Sequence, residues 1–214
     1  MGSCRKFSGA FTLAEVLITL GIIGVVAALT MPSLIANYQK KVYVDKLQKA
    51  YNTFSNAFAK YKADNETDTF ENFGDEEVFE KFARKYFKVS KWCGTDKAGC
   101  MADSYYHNDK KSGSSIYDYS DISYSFRLAS GESIRIIKGG WQPPAWVQID
   151  INGPEGPNVS GRDFFIFDWY DKGLLAACLA NNEYDSICKS GNGNGMCPYC
   201  FGRMVIEDGW QMRY

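Results

Sequence analysis

The chain has 214 residues, of which 24 are Lys or Arg and 25 are Asp or Glu, so its formal net charge is −1. A nearly balanced charge gives no basis for predicting nucleic-acid binding, because attraction to phosphates needs an excess of basic side chains. The length suits one globular domain together with a short anchor.

The N-terminal region contains an uncharged run of 24 residues, from Val16 to Gln39. As a helix this run would span roughly 36 Å, which exceeds the hydrocarbon core of a bilayer at about 30 Å. Arg5 and Lys6 precede it, and Glu15 lies at its upstream edge. An ordinary secretory signal or a simple anchor is the alternative, but the apolar core of a signal has only about 7–15 residues. The run therefore predicts a membrane-spanning helix whose edge carboxylate must be neutralised.

The string AFTLAEVLITLGIIGVVAALTMPSLI resembles the N-terminus of type IV prepilins and of type II secretion pseudopilins. Those chains have a short basic leader, a cleavage site before an N-methylated Phe, and a Glu at the fifth mature position. A cut between Ala10 and Phe11 makes Glu15 the fifth mature residue. It also makes Gly24 the fourteenth and Pro32 the twenty-second, which match the spacing of the family.

The resemblance implies how the N-terminus is processed and what its residues do. Residues 1–10 are the leader that a prepilin peptidase removes, and residues 11–36 are the transmembrane and assembly half-helix. Phe11 is the methylated residue, and its amine neutralises Glu15, while Gly24 and Pro32 bound a segment that loosens on assembly. The family usually has Gly where this chain has Ala10. A cut one residue earlier, after Gly9, is therefore the alternative. It would move Glu15, Gly24 and Pro32 one position away from the spacing of the family.

The helical pattern continues beyond the uncharged run. Apolar side chains recur at alternating spacings of four and three residues on one face, at Leu47, Tyr51, Phe54, Phe58 and Tyr61. This periodicity predicts one helix from Phe11 to roughly Ala63, with an apolar first half and an amphipathic second half. Residues 37–214 then comprise the amphipathic half-helix and a globular head.

The head is predicted to contain a short helix and several strands. Apolar periodicity predicts a helix over about 75–87, and the polar, Tyr-rich stretch 103–121 predicts a long loop. The alternating segment 122–137 predicts a hairpin, and WVQIDI and RDFFIFDWY predict two further strands. GLLAACLA fits a strand or a helix equally well. We therefore expect an α+β fold, in which an antiparallel sheet of about four strands packs on the C-terminal half of the long spine helix, as in pilins.

The segment DINGPEGPNVSGRDFFIF resembles a head motif of pilins and pseudopilins. Similar loops in some pseudopilins hold calcium, and the hard oxygen ligands for such an ion would be Asp150, Asn152, Glu155 and Asp163. The match to an EF-hand is poor. Turn formation, with Asp side chains capping their own backbone, explains the same residues and is the interpretation that we favour.

Seven cysteines are present, and Cys4 would be lost with the leader. Because the resemblance places the head outside the cytoplasm, the remaining six are candidates for up to three disulfides. They are Cys93, Cys100, Cys178, Cys188, Cys197 and Cys200. Cys93 and Cys100 would close a short loop, and the last four would pair among themselves.

The sequence gives little support for an enzyme or a metal site. Cys197-Pro198-Tyr199-Cys200 resembles the active site of glutaredoxins, but no βαβ pattern precedes it. A zinc site formed by the last four cysteines would contain only one pair with the usual C-x-x-C spacing. His107 is the only histidine and lies in a polar loop. We therefore predict no catalytic residue and no resident cofactor.

The resemblance implies a structural subunit of a type IV pilus or of a type II secretion pseudopilus. Its partners would be a prepilin peptidase, other pilin or pseudopilin subunits and the inner membrane. Before assembly the chain would be a single-pass inner-membrane protein with an extracytoplasmic head. The alternative is a minor pilin that uses the same stem to display an adhesion or binding module.

Overall fold

The computed structural model describes residues 12–70, 74–106, 113–114, 122–138, 145–170, 173–176 and 200–213. The chain divides between residues 39 and 40 into two compact units. The described part of the first unit is helical, and the second contains an α+β head.

The first element, α1, is one helix from Leu13 to Asn65, which confirms the prediction of a single long helix. The helix continues without a break through Gly24 and Pro32. Pro32 has no N–H to donate to the preceding turn, and such interruptions are tolerated in apolar helices where nearby hydroxyl groups bond to the backbone. Thr30 Oγ1 donates to the carbonyl of Val26 at 2.9 Å, next to this position.

The second helix, α2, runs from Glu76 to Tyr86, within the predicted range 75–87. Asp75 is its N-cap, because the carboxylate accepts hydrogen bonds from the backbone N–H of Glu77 at 3.0 Å and Val78 at 3.1 Å. The buried face of α2 carries Phe79, Phe82 and Ala83.

The head contains a six-stranded antiparallel sheet, whereas the sequence predicted about four strands. The strands in chain order are β1 (Val89–Gly94), β4 (Ser123–Leu128), β5 (Ser133–Lys138), β6 (Ala145–Asp150), β7 (Phe164–Tyr170) and β8 (Gly173–Ala176). They lie side by side in that order. The predicted hairpin is β4–β5, and the ambiguous GLLAACLA segment begins as β8.

Two parts of the head differ from expectation. The unpredicted strand β1 has two register irregularities in its pairing with β4, so its sequence shows no regular alternation. Within the predicted loop 103–121, Tyr105–Tyr106 (β2) pairs with Gly113–Ser114 (β3) in a separate two-stranded sheet. A third helix, α3, covers Phe201–Glu207 near the C-terminus.

The main core lies between one face of the six-stranded sheet and the second half of α1. Trp169 of β7 packs edge-on against Phe54 and Phe58, with ring centroids 5.1 and 4.9 Å away. The other face of the sheet carries a smaller core, in which Phe164 and Ile166 pack with residues of the 100–105 segment. The periodic apolar face of α1 is therefore covered by one face of the sheet, and the second face of the sheet is covered by the smaller core.

Candidate functional site

The first half of α1 exposes a continuous apolar surface. We call Leu13–Gln39 the stem. Its large apolar side chains are between 42% (Val16) and 81% (Leu13) exposed. At about 1.5–3 kcal/mol for each side chain, burial of this set in lipid or against other helices is worth at least on the order of 20 kcal/mol before entropic costs. The stem is long and apolar enough to cross a membrane.

The carboxylate at the start of the stem forms a capping box with Thr12. Glu15 Oε2 accepts from the Thr12 backbone N at 2.8 Å and from Thr12 Oγ1 at 2.9 Å. In return, the Glu15 backbone N donates to Thr12 Oγ1 at 3.2 Å. These are the reciprocal bonds of a Thr-x-x-Glu helix start. Glu15 therefore has a partner within its own first turn.

Sequence reasoning missed Thr12, although the Thr-x-x-Glu signal was present at the edge of the apolar run. The predicted cleavage residues Ala10 and Phe11 lie outside the described residues, and so does the predicted pairing of Glu15 with the Phe11 amine. The capping box supplies hydrogen bonds but no positive charge. A charged partner for Glu15 thus stays a prediction.

The other two markers lie further along the same helix. Gly24 follows Glu15 by nine residues, and Pro32 follows it by seventeen. A Cβ atom built at Gly24 would meet no atom within 4 Å. The glycine is therefore not required by any contact within the described chain, and its surface is open to a neighbouring helix or to lipid.

The four calcium candidates are engaged in turns at the end of β6 and before β7. Asp150 accepts hydrogen bonds from the Tyr105 hydroxyl and from the Asn152 backbone N. Asp163 accepts from the backbone N–H of Asn158 at 2.7 Å and of Val159 at 2.6 Å. These contacts are the turn chemistry that the sequence favoured.

Asn152 lies beside Asp150 and Asp163, whereas Glu155 is engaged elsewhere. Glu155 is exposed, and its carboxylate lies 3.7 Å from the Arg127 guanidinium. The Asn152 amide donates to the carbonyls of Glu155 and Gly156. Within the described ranges, no three His, Cys, Asp or Glu side chains are grouped so that they could hold a metal ion.

Burial raises the pKa of Asp150 to about 8, and it also raises the pKa of Asp163. A carboxyl group whose pKa is raised on folding stabilises the fold fully only below its unfolded pKa, near 3.8, and loses this contribution as pH rises toward 8. The two buried carboxyl groups therefore make the head less stable as they ionise.

We expect Asp150→Asn to reduce the pH dependence of stability. The amide cannot ionise, so the fall in the free energy of unfolding between about pH 4 and 8 should be smaller than in the wild type. Chemical denaturation across this pH range measures the slope. Asp103→Asn is the control, because Asp103 is exposed. Equal slopes in wild type and Asp150→Asn would contradict the assignment.

The predicted disulfide between Cys93 and Cys100 is present. It closes the loop that leads into the smaller core, where Cys100 itself is buried. Cys200 is also disulfide-bonded. The other predicted cysteines, Cys178, Cys188 and Cys197, lie outside the described residues, as does His107.

The chain was compared with known proteins at the level of families, sequences and folds. No protein-family model, no curated protein and no solved structure matches it.

Proposed function

We propose that the chain is a structural subunit of a type IV pilus or of a type II secretion pseudopilus. In this proposal a prepilin peptidase cuts before Phe11 and methylates the new amine. The stem then anchors the subunit in the inner membrane with its head outside the cytoplasm. Assembly transfers the stem from lipid into a filament made of related subunits.

The observation that carries this proposal is the exposed apolar stem, which has the carboxylate of Glu15 in its first turn. A simple anchor needs only apolar side chains, and in such an anchor Glu15 would serve only the capping box with Thr12. A filament offers a use, because the terminal amine of the same or a neighbouring subunit can neutralise Glu15 when the stem is buried. The open surface at Gly24 also supports close packing between helices.

Mass spectrometry of the chain, produced together with a prepilin peptidase, tests the processing step. We expect a mature protein that begins with N-methylated Phe11. A cut after Gly9 would instead leave an additional Ala at the start. The peptidase-free strain is the control and should give the uncut chain. An uncut chain in the presence of the peptidase, or a start that leaves no amine near Glu15, would contradict the proposal.

A further inference from the structure

The residues that follow the stem are strongly basic. Between residues 40 and 49, Lys40, Lys41, Lys46 and Lys49 are opposed in sequence only by Asp45, an excess of three positive charges. Lys41 and Lys46 are exposed. These are the first charged side chains after the 24 uncharged residues of the run.

A residue from the head adds to this basic group. The Arg162 guanidinium lies over the ring of Tyr43, with its carbon 5.8 Å from the ring centroid. Arg162 belongs to the connection between β6 and β7, so the fold brings a cation that is distant in sequence onto Tyr43, in the same stretch of α1 as the lysines. We call Lys40, Lys41, Lys46 and Arg162 the basic collar.

The composition around the basic collar is that of a membrane interface. Tyr38 is 68% exposed at the end of the stem, and Tyr43 is partly buried below Arg162. Tyr side chains are enriched at both interfaces of a membrane. Long Lys side chains can also lay their methylene groups along apolar surface while the ammonium group reaches the headgroups.

We propose that the basic collar binds anionic phospholipid headgroups while the stem spans the bilayer, an inference that rests on the anchoring step of the proposed function. Lys40 directly follows the uncharged run, and Lys46 is about 9 Å further along the helix at about 1.5 Å per residue. The polar layer on each side of a bilayer is about 5–7.5 Å deep, so Lys46 lies about 2–4 Å beyond it and within the screening length of about 8–10 Å at physiological salt. Phosphate groups of the lipid therefore lie within reach of the collar.

The contact has a consequence for assembly. A subunit that leaves the membrane must exchange these headgroup contacts for contacts with other subunits. Anionic lipid would thus retain the unassembled subunit in the bilayer. The competing occupant of the basic collar is an acidic surface on another copy of the chain. Lipid selectivity and self-association, measured on the same variants, distinguish anionic lipid from this protein surface.

The experiment uses the full chain, reconstituted into vesicles of phosphatidylcholine with a minority of phosphatidylglycerol. Spin-labelled forms of each lipid report how strongly each is immobilised beside the protein. For the wild type we expect a clear preference for phosphatidylglycerol. Because a lysine near an anionic surface contributes about fivefold to affinity, the double variant Lys41→Gln/Lys46→Gln should lose most of this preference.

Two controls match the variant. Lys60→Gln/Lys88→Gln removes the same charge at exposed positions, and Lys60 is about 28 Å along α1 from Lys41, so the preference should persist. About 1 M salt, with a screening length of about 3 Å, should abolish the preference of the wild type. Both double variants replace exposed side chains, and Gln is a good helix former.

The outcomes separate the inference from the function on which it rests. Flotation of the vesicles after an alkaline wash first shows whether the chain is anchored, and a chain that does not float would overturn both proposals. An anchored chain without a preference for phosphatidylglycerol would overturn the headgroup contact alone. So would a preference that the collar variant retains, or a collar variant that alters only self-association.

Discussion

Replacing Glu15 with Ala is expected to block incorporation into filaments while leaving cleavage and membrane anchoring largely intact. The proposed filament buries the stem, so the carboxylate would need a charged partner, and in the proposal the Phe11 amine is that partner. Removing one member of a buried ion pair leaves the other uncompensated, at a cost of about 3–5 kcal/mol. This cost corresponds to a reduction in incorporation of roughly two to four orders of magnitude.

The capping box with Thr12 provides a second explanation for the presence of Glu15. Matched variants distinguish the role as a helix cap from the role as a charged partner of the terminal amine. Gln also occurs at the third position of a capping box, so Glu15→Gln can keep the bond to Thr12 but has no charge. Thr12→Ala removes the cap, worth about 1 kcal/mol, and keeps the carboxylate. If charge is what assembly needs, Glu15→Gln fails like Glu15→Ala, whereas Thr12→Ala assembles.

The measurement is the ratio of sheared filament to membrane-bound subunit in cells that also contain the wild type. The membrane fraction confirms that each variant is processed and anchored. Normal assembly of Glu15→Gln would show that the acid acts only as a helix cap. A defect in Thr12→Ala as large as that in Glu15→Ala would lead to the same conclusion.

The helices were predictable because their signals are local. An uncharged run followed by regular apolar spacing defines α1, and Asp75 followed by two acidic residues marks the start of α2. Strands β4 and β5 were predictable from the alternation of polar and apolar residues around a turn, and β6 and β7 from short runs rich in β-branched and aromatic residues. Each of these patterns can be recognised within a short window of sequence.

The features that escaped prediction depend on distant residues or on irregular pairing. Strand β1 pairs with β4 through two register shifts, so alternation does not reveal it. Tyr105 donates to Asp150, which is 45 residues away, and only the fold brings them together. The Arg162–Tyr43 contact likewise joins a loop of the head to α1. Thr12 is different, because the Thr-x-x-Glu pattern that marks a helix start is local. The terminal amine, and not Thr12, was assigned from the sequence as the partner of Glu15.

Replacing Trp169 with Ala is expected to lower the free energy of unfolding of the head by about 3–5 kcal/mol. Trp169 is 2% exposed, and its ring fills the space between the sheet and the helices. Besides Phe54 and Phe58 of α1, it contacts Phe70 at 5.6 Å and Phe82 of α2 at 6.1 Å between ring centroids. Ala would leave a cavity that these rigid rings cannot fill without leaving their preferred geometry.

Such a loss is a large fraction of the net stability of a typical domain, about 5–15 kcal/mol. Denaturant unfolding of the full chain in detergent measures it, and limited proteolysis provides a second readout. Trp146→Ala is the matched control, because Trp146 lies on the opposite face of the same sheet and is only partly buried. We expect a smaller loss there. If both variants lost the same stability, the packing of Trp169 against α1 would not be what holds the second half of α1 to the sheet.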